Sequence, residues 1–308
     1  MKVLLLGGSG QLGRDLLDAL TGHDVVAPDH ATLDITDEDA VRSSVTQLRP
    51  DVVINTAAFH DLVRCEHEPD RAFAVNALGP RNLARACCQT GARLVHISTD
   101  YVFSGSKGSP YTEQDMPAPL GIYGGTKRMG EHLALAGHDR THVVRTSGLF
   151  GTNPCRGKPG GRNFVRTMLC LAVNRGEVEV VADQRCSPTY TRDLARQLVV
   201  LVDREAPPGI YHAVNGDGCS WFELARMVFA IAGLKVRVRP VTSERFGGAV
   251  PRPADSRLAT RRLRQAGLLV MRPLEQALRD YLEQLHAAAD YTRPCASTIV
   301  PCTSSVHV

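Results

Sequence analysis

The glycine spacing near the N-terminus constrains the fold of this chain more than any other feature. Residues 3–6 form a short aliphatic run, and helical periodicity begins at residue 12. At this junction Gly7, Gly10 and Gly13 form a GxxGxxG spacing, typical of a strand-to-helix turn. A diphosphate suits such a turn, because its oxygens approach the main-chain N–H groups at a helix N-terminus where a Cβ would be in the way. An ordinary glycine-rich turn is the alternative, and this motif alone leaves it open.

Strand and helix patterns alternate along the first half of the chain. The apolar runs that predict strands are residues 3–6, 25–27, 51–55, 93–97 and 142–145. The segments with helical periodicity are residues 12–20, 38–48, 70–88 and 124–136. Such strands are too apolar to leave one face in water. The sequence therefore predicts a parallel sheet covered by helices on both faces, a doubly wound α/β fold of the Rossmann type.

The pattern changes after residue 150. The segment 151–161, GTNPCRGKPGG, predicts a long loop because glycine and proline interrupt regular structure. Further elements are predicted as helices at 163–173, 191–202 and 220–232 and as strands at 178–181 and 210–214. At the start of the last helix Ser220 is the expected N-cap, and Glu223 completes a capping box.

These patterns divide the chain into two predicted units. The first is a dinucleotide-binding Rossmann domain over residues 1–150, with returning segments at roughly 176–215. The second is a smaller C-terminal α/β substrate lobe over residues 151–175 and 216–290. The tail, residues 291–308, has no periodicity, and we expect it to be disordered.

Composition excludes several classes of protein. The chain has 308 residues, 43% of them hydrophobic, and a net charge of +4 without a basic block, so nucleic acid is not an expected partner. No segment approaches the roughly 20 apolar residues of a membrane span, so we expect a cytoplasmic protein without a membrane partner. The 9 cysteines lack the CxxC spacing of zinc sites, and we expect reduced thiols and no metal.

Two aspartates follow the glycine turn at positions that suit a dinucleotide. Asp29 lies about 20 residues beyond the glycines, where a carboxylate accepts a hydrogen bond from the adenine ribose. Asp34, in LDITD, can approach the adenine, although either residue could instead be a turn or cap residue. With the glycines they predict NADH or NADPH as cofactor. Asp29 favours NADH because it repels a 2'-phosphate, whereas the cations His30 and Arg14 could accept one.

A tyrosine and a lysine stand four residues apart in a predicted helix. This spacing puts the Tyr123 phenol and the Lys127 ammonium on one face. A phenol with a pKa near ~10 is a poor acid–base catalyst at neutral pH, and an adjacent cation is expected to lower that pKa. Ser98, Thr99 and Tyr101 leave the strand before it, and the Thr99 hydroxyl could hold a carbonyl oxygen. The pattern predicts acid–base chemistry at this edge of the sheet.

At these residues the chain resembles the extended short-chain dehydrogenases/reductases, and among them it is most similar to the dTDP-4-dehydrorhamnose reductase family. The motifs that carry the resemblance are GGSGQLG, LDITD, PDVVINTAAF, AFAVNALGPRNLA, HISTDYVFSG, YGGTK, RNFVRTML, DQRCSPTYTRDLA and RPADSRL. They run from residue 2 to residue 263. The resemblance therefore covers nearly all of the predicted globular part.

The resemblance implies a role for each matching residue. Tyr123 would be the proton donor, Lys127 would bind the nicotinamide ribose and tune Tyr123, and Thr99 would assist at the substrate carbonyl. Cofactor contacts would come from Gly7, Gly10, Gln11, Leu12, Gly13, Asp29, Asp34, Ile35, Ala57, Ala58 and Phe59. Substrate contacts would come from Asp100, Tyr101, Asn163 and Arg252. Asn76 would support the active-site geometry. Plainer alternatives are a packed aromatic for Tyr101, a helix-bending residue for Asn76 and a core histidine for His96.

The implied activity is transfer of hydride from NADH or NADPH to the keto carbon of a nucleotide-linked 4-keto-6-deoxy sugar, in nucleotide-sugar metabolism for polysaccharide biosynthesis. The implied partners are that nucleotide sugar and, for assembly, a second copy in a homodimer. A non-catalytic dinucleotide-binding regulatory subunit is one alternative. Another is a sugar-nucleotide epimerase or dehydratase of the same superfamily, for which Asp100 would matter.

One position departs from the family pattern. The reductases typically carry a tryptophan after R-T-S, whereas this chain has Gly148 there. We therefore expect a pocket that relies on cationic loop residues rather than on an aromatic wall, with Arg156, Lys158 and Arg162 meeting a diphosphate. Trp221, the only tryptophan, is expected to be a core residue.

Overall fold

The computed structural model describes residues 1–155, 157, 159–174, 176–246 and 250–287. Its strands are β1 (Lys2–Leu6), β2 (Asp24–Val26), β3 (Val52–Asn55), β4 (Arg93–Thr99), β5 (Thr141–Thr146), β6 (Leu149–Phe150), β7 (Glu177–Val181), β8 (Arg185–Cys186), β9 (Thr189–Tyr190), β10 (Gly209–His212), β11 (Cys219–Ser220) and β12 (Arg237–Val241). The predicted disordered tail, residues 291–308, lies outside the described residues.

The helices of the described residues match most of the predicted periodic segments. They are α1 (Gln11–Ala19), α2 (Glu38–Leu48), α3 (Leu62–His67), α4 (Pro69–Phe73), α5 (Gly79–Thr90), α6 (Ile122–Gly137), α7 (Phe164–Asn174), α8 (Thr191–Asp203), α9 (Trp221–Ile231), α10 (Arg261–Gln265) and α11 (Leu274–Ala287). The predicted capping box is present at the start of α9, where the Glu223 amide donates to the Ser220 hydroxyl at 3.1 Å and the Ser220 amide donates to the Glu223 carboxylate at 2.7 Å.

The central sheet is parallel, with six strands in the order β10-β5-β4-β3-β1-β2. Every residue of β3 and β5 is buried, because helices cover both faces of the sheet. The doubly wound fold expected from the sequence is confirmed. Strand β1 pairs with β2 on one side and with β3 on the other, so the winding direction reverses between β1 and β3. In sheets of this kind, ligands bind outside the carboxyl ends of the strands at that reversal.

The chain after residue 150 builds a second apolar core. Strand β7 pairs in parallel with β12, outside the central sheet, and its Val178 and Val180 side chains are buried beside Phe164 and Tyr281. We expected residues 176–215 to return to the first unit. Strand β7 does not, because its apolar side chains belong to this second core, whereas α8 and β10 pack on the central sheet. The division into a dinucleotide domain and a substrate lobe remains our proposal.

The long helix predicted over residues 70–88 is divided by a π-helical turn, Ala74–Leu78. A π turn inserts one residue and rotates the helix that follows, which apolar periodicity alone does not reveal. Gly79 starts α5 directly after the turn, where a Cβ would lie 2.6 Å from the Ile35 side chain. The turn directs the fully buried Asn76 toward the end of β3.

No described helix is both long enough and apolar enough to cross a membrane.

Candidate active site

The glycine turn brings the ends of β1 and β3 together. Gly7 has φ +79°, and a Cβ there would lie 2.5 Å from Thr56 Oγ1 and 2.8 Å from the Ala57 nitrogen. Gly13 faces the same turn, and a Cβ on it would overlap the Gly7 carbonyl oxygen. Gly10 is the N-cap of α1, and no side chain caps this helix. The N-terminus of α1 is therefore a bare cradle of N–H groups that fits a diphosphate.

Gln11 and Leu12 direct their side chains away from this cradle. Gln11 Nε2 donates to the carbonyl oxygens of Asn153, at 2.9 Å, and Gly151, at 3.3 Å. Leu12 packs into the core beside the sheet. Any cofactor contact from these two residues would be through the main chain.

Asp29 and Asp34 lie beyond the end of β2. One Asp29 oxygen accepts from the Thr32 amide and hydroxyl, each at 2.8 Å, and these bonds lower the pKa of the carboxyl. Asp34 accepts from the Thr36 amide at 2.9 Å. Both residues therefore shape their turns, as the plainer alternative expects, and the exposed Asp29 stays ionised at neutral pH. Ile35 is buried and contacts the π-helical turn region.

Asn76 clamps the segment after β3. Its side chain accepts from the Phe59 amide at 2.9 Å and donates to the Phe59 carbonyl at 2.8 Å. It also donates to Thr126 Oγ1 at 3.3 Å, next to Lys127 on α6. The predicted cofactor contacts at Ala57, Ala58 and Phe59 are thus held in register with the helix that carries Tyr123 and Lys127. This gives Asn76 a physical basis for its predicted supporting role.

Helix α6 is anchored to the sheet by a buried ion pair. Arg145 on β5 donates through Nε and Nη2 to the two oxygens of Glu131, each at 2.7 Å. Ser98 on β4 donates to the same carboxylate at 2.6 Å. Breaking one partner of such a pair leaves an uncompensated buried charge. Ser98 therefore fixes the helix and does not face the Tyr123 phenol.

Tyr123 and Thr99 meet at the carboxyl end of β4. The Tyr123 ring lies 5.8 Å from the Tyr101 ring, edge to face. Burial raises the pKa of the Tyr123 phenol well above its usual value, and hydrogen bonding to Thr99 offsets only part of this effect. The expectation that Lys127 lowers this pKa is wrong for this arrangement. The Lys127 side-chain nitrogen instead contacts the main chain, at 2.6 Å from the Ile97 carbonyl oxygen.

Lys127 is buried between α6 and β4. Its Nζ lies 3.3 Å from His96 Nε2, and His96 Nδ1 lies 3.2 Å from Asn55 Nδ2. Burial lowers the pKa of Lys127 to about 8, although the Glu131 carboxylate acts in the opposite direction. His96 is fully buried, as the core alternative expects. Sequence reasoning missed Asn55, whose signal is a polar residue at the end of a wholly apolar strand.

Asp100 is buried and surrounded by hydroxyl groups. It accepts from Ser147 at 2.7 Å, from Ser256 at 2.5 Å and from Thr99 at 3.2 Å. Burial raises the pKa of its carboxyl in spite of these bonds. The predicted contact between Asp100 and a sugar is not supported, because its oxygens bind these side chains. Asp100 instead ties the end of β4 to the segment that contains Ser256.

The other predicted substrate residues separate into two cases. Arg252 is close enough to Tyr101 for its charge to act against the rise that burial causes in the phenol pKa. Asn163 is buried, caps the Arg166 amide at 3.0 Å and donates to the Gly151 carbonyl at 2.9 Å. Its side chain therefore holds the loop, and its geometry gives no support to substrate contact.

An aromatic ring occupies the space beside Gly148. A Cβ on Gly148 would lie 3.5 Å from the outer edge of the Trp221 indole, which is half-buried and also packs on Phe164. An indole therefore lies beside Gly148, reaching this place from α9, and Trp221 also packs against the second core, in agreement with the core role expected from the sequence. Linear spacing could not reveal this, because 73 positions separate the two residues.

The glycine-rich loop borders the dinucleotide side of the site. A Cβ on Gly157 would overlap the His60 ring, and the loop closes through a 2.9 Å bond from the Cys155 amide to the Gly161 carbonyl. Arg156 and Lys158 lie outside the described residues. The described contacts, with Gln11 and His60, do not support the expected approach of this loop to the substrate diphosphate.

No group of three or more His, Cys, Asp or Glu side chains that could hold a metal ion occurs among the described residues.

A doubly wound sheet, a glycine turn at its winding reversal and a Tyr-x-x-x-Lys pair on one helix define the extended short-chain dehydrogenases/reductases as the class of this protein. The sequence model of the family described as RmlD substrate binding domain matches residues 1–287, and the chain belongs to that family. The resemblance recognised in the sequence is confirmed.

Individual relatives agree with this membership. The spore coat polysaccharide biosynthesis protein SpsK of Bacillus subtilis (strain 168) is 42% identical over 291 residues, 94% of this chain and 99% of that protein. A dTDP-4-dehydrorhamnose reductase of Mycolicibacterium smegmatis is 45% identical over 283 residues, 91% of this chain and 84% of that protein. The crystal structure of dTDP-4-dehydrorhamnose reductase from Bacillus anthracis str. Ames in complex with NADP has a TM-score of 0.85 at 40% identity, covering 92% of this chain and 99% of that one.

Proposed function

We propose that this protein is an NAD(P)H-dependent reductase of a nucleotide-linked 4-keto-6-deoxy sugar, with dTDP-4-dehydrorhamnose as the first substrate to test. The observation that carries the proposal is the pairing of the Tyr123 phenol with the Thr99 hydroxyl at the carboxyl end of β4, the same edge of the sheet as the glycine turn after β1. It is supported by the 45% identity to a dTDP-4-dehydrorhamnose reductase along most of the chain.

The residues present fit a dinucleotide. The uncapped N-terminus of α1, with Gly7 and Gly13, would hold the diphosphate, and Asp29 would accept from the adenine ribose. The main chain of Ala57 to Phe59, clamped by Asn76, would border the cofactor on the β3 side. The bound cofactor supplies the hydride that attacks the keto carbon.

Tyr123 gives up a proton in the proposed reduction. Hydride addition converts the carbonyl oxygen to an alkoxide, and the phenol O–H transfers its proton to that oxygen, which leaves a hydroxyl on the sugar and a phenolate on Tyr123. A raised phenol pKa suits this direction, because it keeps the proton on Tyr123 until the more basic alkoxide forms. The buried setting therefore favours an acid over a resting base.

Thr99 orients the carbonyl oxygen in this scheme. Its hydroxyl has one proton, for which the Asp100 carboxylate at 3.2 Å and the Tyr123 phenol oxygen are alternative acceptors, and its oxygen accepts from the Tyr101 amide at 3.1 Å. To donate to a substrate carbonyl, the hydroxyl has to rotate away from Asp100. Asp100 loses only its longest hydroxyl bond and keeps those from Ser147 and Ser256.

Turnover assays separate the proposal from its alternatives. A reductase consumes one NADH or NADPH for each dTDP-4-dehydrorhamnose reduced. An epimerase or dehydratase interconverts sugars without net consumption of dinucleotide, and a regulatory subunit binds dinucleotide without turnover. Net oxidation of the cofactor that depends on the keto sugar supports the reductase, and its absence across a panel of nucleotide keto sugars would rule it out.

The assembly and location are finer proposals. We propose a homodimer, supported by a group of exposed apolar side chains on and near α3, α4 and α6, namely Val63, Phe73, Met116, Leu120 and Met129. Sedimentation of the wild type and of Met129→Glu tests it, because a charge at the interface would shift a dimer toward monomer. We also propose a cytoplasmic location, since the reaction draws on a reduced dinucleotide pool.

A further inference from the structure

Three buried polar side chains form a chain of contacts beneath the proposed catalytic residues. Asn55 ends β3, His96 lies directly opposite it in register on β4, and Lys127 reaches them from α6. Asn55 and His96 are fully buried and Lys127 is 2% exposed. Buried polar groups of this kind have to match donors with acceptors, because water cannot correct a mismatch.

The orientation of the Asn55 amide fixes the direction of this chain. Asn55 Oδ1 accepts from the Ala57 amide at 3.1 Å, so Asn55 Nδ2 is the atom that faces His96 Nδ1 at 3.2 Å. An amide nitrogen can only donate, so His96 Nδ1 has to accept. A neutral imidazole then carries its proton on Nε2, and complete burial holds the pKa of His96 well below its usual value.

The Nε2 proton points at Lys127. If Lys127 is an ammonium, its N–H and the His96 Nε2–H are two donors that face each other across 3.3 Å. A neutral amine avoids this conflict, because its lone pair accepts from His96 Nε2–H while one of its protons is donated to the Ile97 carbonyl at 2.6 Å. Flipping the Asn55 amide would let His96 Nε2 accept from a Lys127 ammonium, but it would also place the donor Nδ2 of Asn55 against the Ala57 N–H, which is itself a donor. The matched arrangement therefore runs from Ala57 through Asn55 and His96 to a neutral Lys127.

We propose that Asn55 and His96 are positioning residues that set the protonation state of Lys127 by presenting a donor to its nitrogen. The proposal rests on the proposed function for its catalytic meaning: the ammonium form of Lys127 would donate to the nicotinamide ribose of the bound cofactor, and the buried pair opposes that form. The pair thus brings the titration of Lys127 down toward neutral pH, where a small change in pH changes the fraction of active enzyme.

Among the titratable groups near this end of α6, Glu131 acts directly on Lys127. Asp100 from the turn after β4, Cys65 from α3 and Tyr101 act on the neighbouring Tyr123 phenol instead. Glu131 favours the ammonium, but its carboxylate is already paired with Arg145. The π-helical turn packed on α6 contributes no titratable side chain. His96 is the group that meets Lys127 Nζ within hydrogen-bonding distance.

Two NMR measurements test the proposal without substrate. Nitrogen-15 shifts of the histidine rings report which nitrogen of His96 carries the proton, and we expect Nε2. Carbon-13 shifts at Cε titrate each of the five lysines, and Lys127→Met assigns the signal of interest. A His96 proton on Nδ1 in the wild type would overturn the proposal outright.

Asn55→Asp keeps the size of the side chain and reverses the direction of the hydrogen bonds between residue 55, His96 and Lys127. A carboxylate accepts from both the Ala57 amide and His96 Nδ1–H, so His96 Nε2 becomes an acceptor for the Lys127 ammonium. We expect the His96 proton to move to Nδ1 and the Lys127 titration to rise by about one pH unit or more. If the Lys127 titration rises while the His96 proton stays on Nε2, the added negative charge alone raises it, and this result would contradict the proposal.

The pH profile of kcat gives the catalytic readout. Activity is retained below the Lys127 titration and falls as pH rises through it, so the alkaline limb should shift upward in Asn55→Asp. His142→Gln is the matched control, because His142 is also a buried imidazole, lies on the next strand and bonds the Ala206 carbonyl, away from Lys127. The proposed effect of Asn55 and His96 on catalysis is refuted if the alkaline limb of the kcat profile does not shift in Asn55→Asp, or if it shifts equally in His142→Gln. If the wild type carries the His96 proton on Nε2 but shows no turnover, the result counts against the proposed function instead.

Discussion

Gly130 on α6 lies directly against the main-chain oxygen of Asn76 in the π-helical turn, and a Cβ on Gly130 would overlap that oxygen. This contact lets the helix that carries Tyr123 and Lys127 approach the turn whose side chain clamps Phe59. A single absent side chain thus sets the distance between the catalytic helix and the β3 side of the cofactor site.

Gly130→Ala should therefore destabilise the protein although alanine favours helices. Forcing α6 away from the π-helical turn should cost about 1–3 kcal/mol of unfolding free energy, the usual penalty for overpacking. Gly125→Ala is the matched control, because a Cβ there meets nothing within 4 Å, and it should raise stability by about 0.5–1 kcal/mol. Urea unfolding of the two variants measures the difference, and equal stabilities would show that the contact is unimportant.

The sequence was sufficient for the central sheet because its strands are continuous apolar runs. It was not sufficient for the turn at Asn76, since the inserted residue leaves the apolar pattern of residues 70–88 readable as one helix. The sequence also did not predict which strand pairs with β7. Residues 178–181 are predicted as a strand, but only the three-dimensional pairing with β12 assigns them to the second core.

Tyr123→Phe should lose most turnover while still binding dinucleotide. The substitution removes the transferable proton and keeps the ring beside Tyr101, and general acid catalysis is typically worth about 10²- to 10⁴-fold in rate. Single-turnover kinetics with the keto sugar and fluorescence titration with NADPH give the two quantities. If Tyr123→Phe turns over like the wild type, another group protonates the alkoxide and the proposed role of Tyr123 falls.

Asp29 should discriminate between the two dinucleotides. Its bonds to Thr32 keep the carboxylate ionised, so it should disfavour the 2'-phosphate of NADPH. Asp29→Ala should raise the ratio of kcat/KM for NADPH over NADH by roughly 10-fold. Asp24→Asn, at the opposite end of β2, is the control and should leave the ratio unchanged. A ratio that does not move in Asp29→Ala would mean that this carboxylate points away from the ribose.

Trp221 should contribute to substrate binding. Its indole edge borders Gly148 next to Ser147, whose hydroxyl binds Asp100, so it is placed to form an apolar wall near Thr99. Trp221→Leu should raise KM for the nucleotide sugar about 10-fold through lost apolar and stacking contact, with little change in dinucleotide affinity. Phe222→Leu, the neighbouring position on α9, serves as control. A lower melting temperature with an unchanged KM would return Trp221 to the purely structural role expected from the sequence.

The site was predictable where chemistry and spacing coincide, as for Tyr123 and Lys127 or for the glycines of the turn. It was not predictable where a side chain acts through contacts across the fold. Asn163 matched a substrate position but is buried as a helix cap, and Asp100 is enclosed by Ser147 and Ser256. Asn55 and His96 lie in two separate family motifs whose spacing assigns them no joint role, and only strand register brings them together beneath Lys127.

The most direct test of the account follows the hydride itself. The enzyme is incubated with dTDP-4-dehydrorhamnose and NADPH or NADH carrying deuterium on both positions of nicotinamide C4, and the sugar product is analysed by mass spectrometry and NMR. The account predicts one deuterium at sugar C4 for each dinucleotide oxidised. Conversion of the sugar without deuterium at C4, or no oxidation of either dinucleotide, would contradict it.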